Sequence, residues 1–140
     1  MPQAPDFWAK PGLLSDALLP LAWGHAGLSA ARRALAKPKR VGVPVICVGN
    51  LVAGGAGKTP VVLRLAQMLS ETGHRPHILS RGYGGSLGGP QRVEPAQHSA
   101  AEVGDEPLLL ARAAPTWIGS DRVATAAAAI AHGASVLLLD

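Results

Sequence analysis

Apolar residues along the chain fall into short continuous runs separated by longer stretches of helical periodicity, and this alternation predicts strands and helices in turn. Residues 43–48 are apolar, β-branched and followed by Gly49 and Asn50, which reads as a buried strand. Cys47 lies inside that run and is expected to be a small buried hydrophobe. Over residues 60–72 the apolar positions Val61, Val62, Leu65, Met68 and Leu69 follow the spacing of one helical face, Pro60 falls in the first turn, and Gly73 is placed to end the helix. Residues 77–80 predict a second strand that opens into a glycine-rich loop over 81–89. A helix follows over 105–114, with Asp105 near its start and Pro107 in its first turn. Residues 116–118 form a short strand candidate, Asp121 caps an alanine-rich helix closed by Gly133, and 135–139 form an aliphatic strand ending on Asp140. Strand and helix alternating, with continuously apolar strands, is the pattern of an α/β protein whose parallel sheet is covered on both faces. No internal repeat is present.

The first forty residues do not fit that alternation. Residues 17–31 contain no Asp, Glu, Lys or Arg, but Pro20, Gly24, His25 and Gly27 interrupt them and they fall short of the roughly 18–20 apolar residues of a spanning helix. A signal peptide is also a poor match, because the basic cluster follows the apolar stretch. The segment reads as an amphipathic helix. Trp8, Leu13, Leu14, Leu18, Leu19, Leu21 and Trp23 could enter a lipid headgroup boundary, or they could pack on the rest of the protein.

Charge sharpens this division. Residues 1–40 hold six basic side chains (Lys10, Arg32, Arg33, Lys37, Lys39, Arg40) against Asp6 and Asp16, whereas 41–140 hold seven of each sign, so the whole formal excess of +4 is N-terminal. That placement suits an anionic membrane surface and speaks against a nucleic-acid partner for the main domain. No protein partner is implied. At 140 residues, 48% hydrophobic and 16% charged, the chain is sized for one well-packed domain over 41–140 behind the segment 1–40. It stops directly after a core strand, and truncation is therefore expected. One cysteine excludes an intrachain disulfide and a cysteine-based metal cluster, and the five histidines (25, 74, 77, 98, 132) lack metal-site spacing and are expected at surfaces or satisfied positions.

The strongest chemical signal is Gly49-Asn50-Leu51-Val52-Ala53-Gly54-Gly55-Ala56-Gly57-Lys58-Thr59-Pro60, set between a predicted strand and a predicted helix. Glycines let backbone N–H groups approach a polyphosphate, and the helix N-terminus adds partial positive charge. Lys58 would reach the β- and γ-phosphates, and the Thr59 hydroxyl can ligate Mg²⁺. The amides of Gly54, Gly55, Ala56 and Gly57 complete the expected ATP cradle. The match is partial, since Val52 stands where a strict GxxxxGK(S/T) pattern has glycine, and Ala53 replaces the lysine of KGGxGKT ATPases. Asp140, ending an aliphatic strand, has the form of a Walker B acid that holds Mg²⁺, although such strand ends also arise by chance.

Three segments together resemble the tetraacyldisaccharide 4'-kinase family: Pro44 to Leu51 running into the glycine-rich turn, Ser80-Arg81-Gly82-Tyr83-Gly84-Gly85, and Val103-Gly104-Asp105-Glu106-Pro107-Leu108. The closing Leu137-Leu138-Leu139-Asp140 is similar to the start of the family's LLLDDGFQ-type segment. The resemblance covers nearly the whole chain and about two-fifths of a family member. It implies a P-loop kinase fold, ATP and Mg²⁺, and transfer of the γ-phosphate to the 4'-hydroxyl of a tetraacyl disaccharide 1-phosphate, the lipid A precursor. It also implies a peripheral position on the cytoplasmic face of the bacterial inner membrane. Asp105 matches the family's catalytic aspartate, which acts with a histidine of the C-terminal half that lies outside these residues.

Read without the family, Asp105 would be a helix N-cap, and Arg81 a solvated loop charge instead of a phosphate contact. Tyr83 lines the acceptor site or packs the loop. Two alternatives stand beside the kinase: a soluble P-loop nucleotidase or GTPase switch, for which no NKxD element occurs, and a nucleotide-binding fragment without catalysis. The 140 residues alone are expected to be inactive.

Overall fold

The computed structural model describes residues 12–35, 38–49 and 57–140, which divide into two compact units, Met1–Pro38 and Lys39–Asp140. In the first unit, helix α1 spans Leu13–Leu35. Asp16 in its first turn and Arg32 and Arg33 in its last complement the helix dipole, and Pro20 removes one i→i−4 bond inside it. Leu18, Leu21, Leu28 and Leu35 recur at helical spacing along one side of α1 and are all exposed, as are Leu19 and Trp23. Among the described residues, no helix is long and apolar enough to cross a membrane. Trp8, Lys10 and Lys37, and the side chains of Leu13 and Leu14, lie outside the described residues.

The second unit runs β1 (Val45–Cys47), α2 (Lys58–Glu71), β2 (Pro76–Ser80), β3 (Gln91–Arg92), α3 (Ala100–Val103), α4 (Asp105–Ala111), β4 (Thr116–Ile118), α5 (Arg122–Ala131) and β5 (Val136–Leu139). The five strands form one sheet in the order β1-β5-β2-β4-β3. The first four are parallel, with Ile46 opposite Leu138 and Ile78 opposite both Leu138 and Thr116. Because side chains alternate across a strand, Ile78 and Leu138 enter the core under α2 and α4 with Val62, Ala66 and Leu110. Leu79 and Leu137 enter the opposite core with Trp117, Ala126 and Ala129 of β4 and α5. Both faces are therefore covered, which explains the unbroken apolar runs of β2 and β5.

Local chemistry sets the helix ends. Asp121 Oδ1 accepts the N–H groups of Val123 at 2.9 Å and Ala124 at 3.1 Å, capping α5 as expected. Gly73 and Gly133 follow α2 and α5, and the bonds His74 N–H to Leu69 O and Ala134 N–H to Ala129 O close each helix in a Schellman arrangement.

Several expectations are corrected. The sheet is mixed: β3 pairs antiparallel with β4, and its two polar residues, Gln91 and Arg92, carried no strand periodicity. β1 is an edge strand, and α5 packs on β2 and β4, so Val45 and Cys47 remain exposed instead of buried. On α2 the inner face is Val62 and Ala66 flanked by Leu65 and Leu69, and Val61 and Met68 face outward. Helix α4 ends at Ala111, where Ala113 N–H bonds Leu110 O in a tightened turn ahead of Pro115, which cannot continue a helix.

At the N-terminal end of the parallel strands, His77 is buried and its Nδ1 accepts the indole N–H of Trp117 at 3.2 Å. Burial lowers the His77 pKa below its ordinary value, and the positive charges of Arg92, His132 and Arg75 add to the shift. The neutral form is thus favoured in the folded state. Its contribution to stability is complete above the ordinary histidine pKa, near 6.5, and is lost as pH falls through the lower folded value. Urea denaturation of the full-length protein at pH 7 and pH 5 should show a loss of stability that is smaller in His77→Gln, which keeps an acceptor but does not titrate; equal losses would count against this assignment.

Candidate active site

The C-terminal ends of parallel strands in an open α/β sheet leave a crevice where ligands bind. In this chain that edge is built by β2, β5 and the N-termini of α2, α4 and α5. Lys58, Ser80, Arg81, Tyr83, Glu106, Arg122 and Asp140 line a cavity of about 200 Å³ there. Four of the residues singled out in the sequence, Lys58, Arg81, Tyr83 and Asp140, thus meet in one cavity although they come from three separate stretches of the chain.

Gly57 precedes α2 with φ 71° and ψ 17°, a left-handed conformation that glycine adopts without steric cost, and Lys58 and Thr59 open the helix. The N–H groups of such a first turn have no intrahelical acceptors and face outward with the positive end of the helix dipole. The predicted cradle residues Gly54, Gly55 and Ala56 lie outside the described residues.

Thr59 donates from Oγ1 to Glu106 Oε1 at 2.6 Å. Asp140 is half-buried beside that pair. Burial pushes its carboxyl pKa up, the neighbouring Glu106 carboxylate adds to the rise, and Lys58 and Arg122 oppose it. Its Oδ1 is buried with no hydrogen-bond partner among the described residues. The Thr59 hydroxyl and the carboxyls of Glu106 and Asp140, the latter with a buried oxygen that has no partner among the described residues, form a hard-oxygen donor set whose chemistry fits a Mg²⁺ ion.

Asp105 is the first residue of α4 and is exposed, with Gly104 at the N-cap position, so the N-cap reading of Asp105 is set aside. It does not line the cavity; its neighbour Glu106 does. Both acids sit in the first turn of α4, where the dipole favours negative charge. Arg81 donates from Nη1 to Tyr83 Oη at 2.8 Å, with its guanidinium carbon 5.9 Å from the ring centroid. This pair orders the start of the glycine-rich loop. Ser86 and Leu87 then donate N–H bonds to the carbonyls of Ala101 (3.0 Å) and Glu102 (2.8 Å), tying the loop to the α3–α4 corner.

Sequence reasoning had no role for Ser80 or Arg122 and noted Glu106 only as a neighbour of Asp105. An Asp-Glu pair opening a helix was the one local signal available for Glu106. Arg122 had none, because its partners are main-chain oxygens of Leu79 and Asp140, 43 and 18 residues away.

A parallel sheet in which a Gly-Lys-Thr helix start meets an acidic strand end defines a P-loop nucleoside triphosphate-binding fold. The family model for LpxK, tetraacyldisaccharide-1-P 4'-kinase, matches residues 14–140. The chain therefore belongs to the tetraacyldisaccharide 4'-kinase family. It is 58% identical over 143 residues to the tetraacyldisaccharide 4'-kinase of Rhodospirillum centenum, covering 99% of this chain and 42% of that protein. It is 56% identical over 139 residues to that of Methylobacterium sp. strain 4-46, with the same coverage of both. A crystal structure of LpxK from Aquifex aeolicus in complex with ATP superposes with a TM-score of 0.75 at 34% identity, over 91% of this chain and 44% of that one. The chain spans about two-fifths of the length of the relatives it matches.

Proposed function

We propose that this chain forms the nucleotide-binding part of a kinase that transfers the γ-phosphate of ATP to the 4'-hydroxyl of a tetraacyl disaccharide 1-phosphate. The observation that carries this reading is the meeting of Lys58, at the start of α2, with Glu106 and Asp140 in a single cavity, where Glu106 also accepts the Thr59 hydroxyl. Lys58 and the loop amides from Gly54 to Gly57 would hold the triphosphate, and Thr59 and Asp140 would hold Mg²⁺, which supplies charge neutralisation at the transferring phosphoryl group. Arg81, on the loop that borders the cavity, would contact a substrate phosphate. Asp105 would help remove the acceptor proton as the new O–P bond forms and ADP leaves, acting with a group from the remainder of the protein. Its exposed position, next to the cavity-lining Glu106, suits a residue that meets an incoming substrate.

Helix α1 would place the enzyme on the anionic cytoplasmic face of the inner membrane. Support comes from Leu21, Trp23 and Leu35, which are 75%, 75% and 81% exposed, and from the basic residues of its last turn. Incubating the full-length protein with γ-labelled ATP and the lipid disaccharide in detergent micelles should label the lipid. Nucleotide hydrolysis without labelled lipid would replace the kinase with a nucleotidase.

A further inference from the structure

We propose that Arg122 is a positioning residue for the acidic edge of the site, closing the hydrogen-bond ladder between β2 and β5 where β2 turns away and thereby fixing Asp140. The inference rests on reading the cavity as a Mg·ATP site. In a parallel ladder each residue donates to one partner residue and accepts from the partner two places further on. Asp140 N–H donates to Leu79 O at 3.1 Å, so the next bond would run from Arg81 N–H to the Asp140 carbonyl. The chain leaves the sheet after Ser80, with Gly82 at φ 70°, and enters the glycine-rich loop. Arg122 takes over at that point: Nη2 donates to Asp140 O at 3.0 Å and Nη1 to Leu79 O at 2.8 Å. One planar fork spans the ends of two neighbouring strands.

The fork is itself held firmly. Arg122 is the first residue of α5, the Asp121 carboxylate caps that helix, and Thr125 Oγ1 donates back to Asp121 O at 2.7 Å. Its guanidinium is half-buried close to Arg81, and both of these bonds go to main-chain oxygens. A lysine has no planar fork and reaches one carbonyl at a time, so the geometry is specific to arginine. What the fork secures is the backbone that carries the Asp140 carboxyl beside Glu106, its Oδ1 buried and without a partner among the described residues.

The test uses the full-length protein and its Arg122→Lys and Arg122→Ala variants. ATP affinity is measured by calorimetry in the presence of a chelator, and Mn²⁺ affinity of the ATP complex by electron paramagnetic resonance. A positioning role predicts ATP affinity without metal within about twofold of the unsubstituted protein, and Mn²⁺ affinity weaker by about tenfold, the scale of losing a group that orients a metal ligand. Millimolar guanidinium should restore Mn²⁺ binding in Arg122→Ala, which a merely unfolded variant would not show. A metal-free ATP affinity that falls as far as Mn²⁺ affinity would make Arg122 a direct phosphate ligand and overturn the proposal, as would unchanged Mn²⁺ binding in Arg122→Lys. Failure of the unsubstituted protein to bind ATP would overturn the nucleotide reading, and this inference with it.

Discussion

Replacing Lys58 with alanine in the full-length protein is expected to lower phosphoryl transfer by about 10²–10³-fold, the scale of losing one charge aimed at a reacting group. Lys58 is the half-buried cation at the mouth of α2, in a cavity that also holds the carboxyls of Glu106 and Asp140. A triphosphate entering that cavity brings its negative charge beside those two carboxyls, against the cations Lys58, Arg81 and Arg122 that line the same cavity. Of these cations Lys58 is the one on the first turn of α2, where the helix N-terminus adds only a partial charge of its own. The variant should fold, because Lys58 makes no core contact and α2 is anchored through Val62 and Ala66. Thermal unfolding within a degree or two of the parent, with ATP affinity and turnover lost together, is the expected pattern. Retained turnover would remove Lys58 from the site and leave the P-loop assignment without its central residue.

Gly104→Ala is expected to destabilise the protein by about 1–3 kcal/mol, the range for a residue held in sparsely populated backbone space. Gly104 is buried between α3 and α4 at φ 92° and ψ 154°, a conformation that side-chain-bearing residues rarely adopt. A Cβ there would also stand 2.7 Å from the carbonyl oxygen of Tyr83, too close for an ordinary contact. Relief would require the glycine-rich loop or the first turn of α4 to shift. The first carries Arg81 and Tyr83, and the second carries Asp105 and Glu106. Stability and transfer should therefore fall together, with transfer falling further than the unfolded fraction explains. Urea denaturation and steady-state assays at a temperature where the variant is fully folded separate the two effects. A variant as stable and active as the parent would show that the corner yields without moving those groups.

Much of this architecture was legible in the sequence. The apolar runs of β2 and β5, the Asp121 cap, the glycines closing α2 and α5 and the Gly-Lys-Thr helix start are local features, each decided by a residue and its neighbours within a turn or a strand. Three segments in the right order sufficed to identify the family. What escaped depended on position in the sheet. The apolar run 43–48 reads the same at an edge as at the centre, so the exposure of Cys47 became apparent only once β1 was placed outside β5. Gln91 and Arg92 form a strand because β4 offers them a ladder, and their own side chains give no sign of it.

The active site shows the same division. Sequence alone selected Lys58, Thr59 and Asp140 as candidate nucleotide and metal residues, on the strength of short motifs. Only the tertiary structure brought Glu106 to Thr59, 47 residues away, and set the Arg122 guanidinium across two strand ends. Local periodicity is written residue by residue, whereas these meetings follow from the strand order β1-β5-β2-β4, which brings together helix starts that no sequence spacing relates.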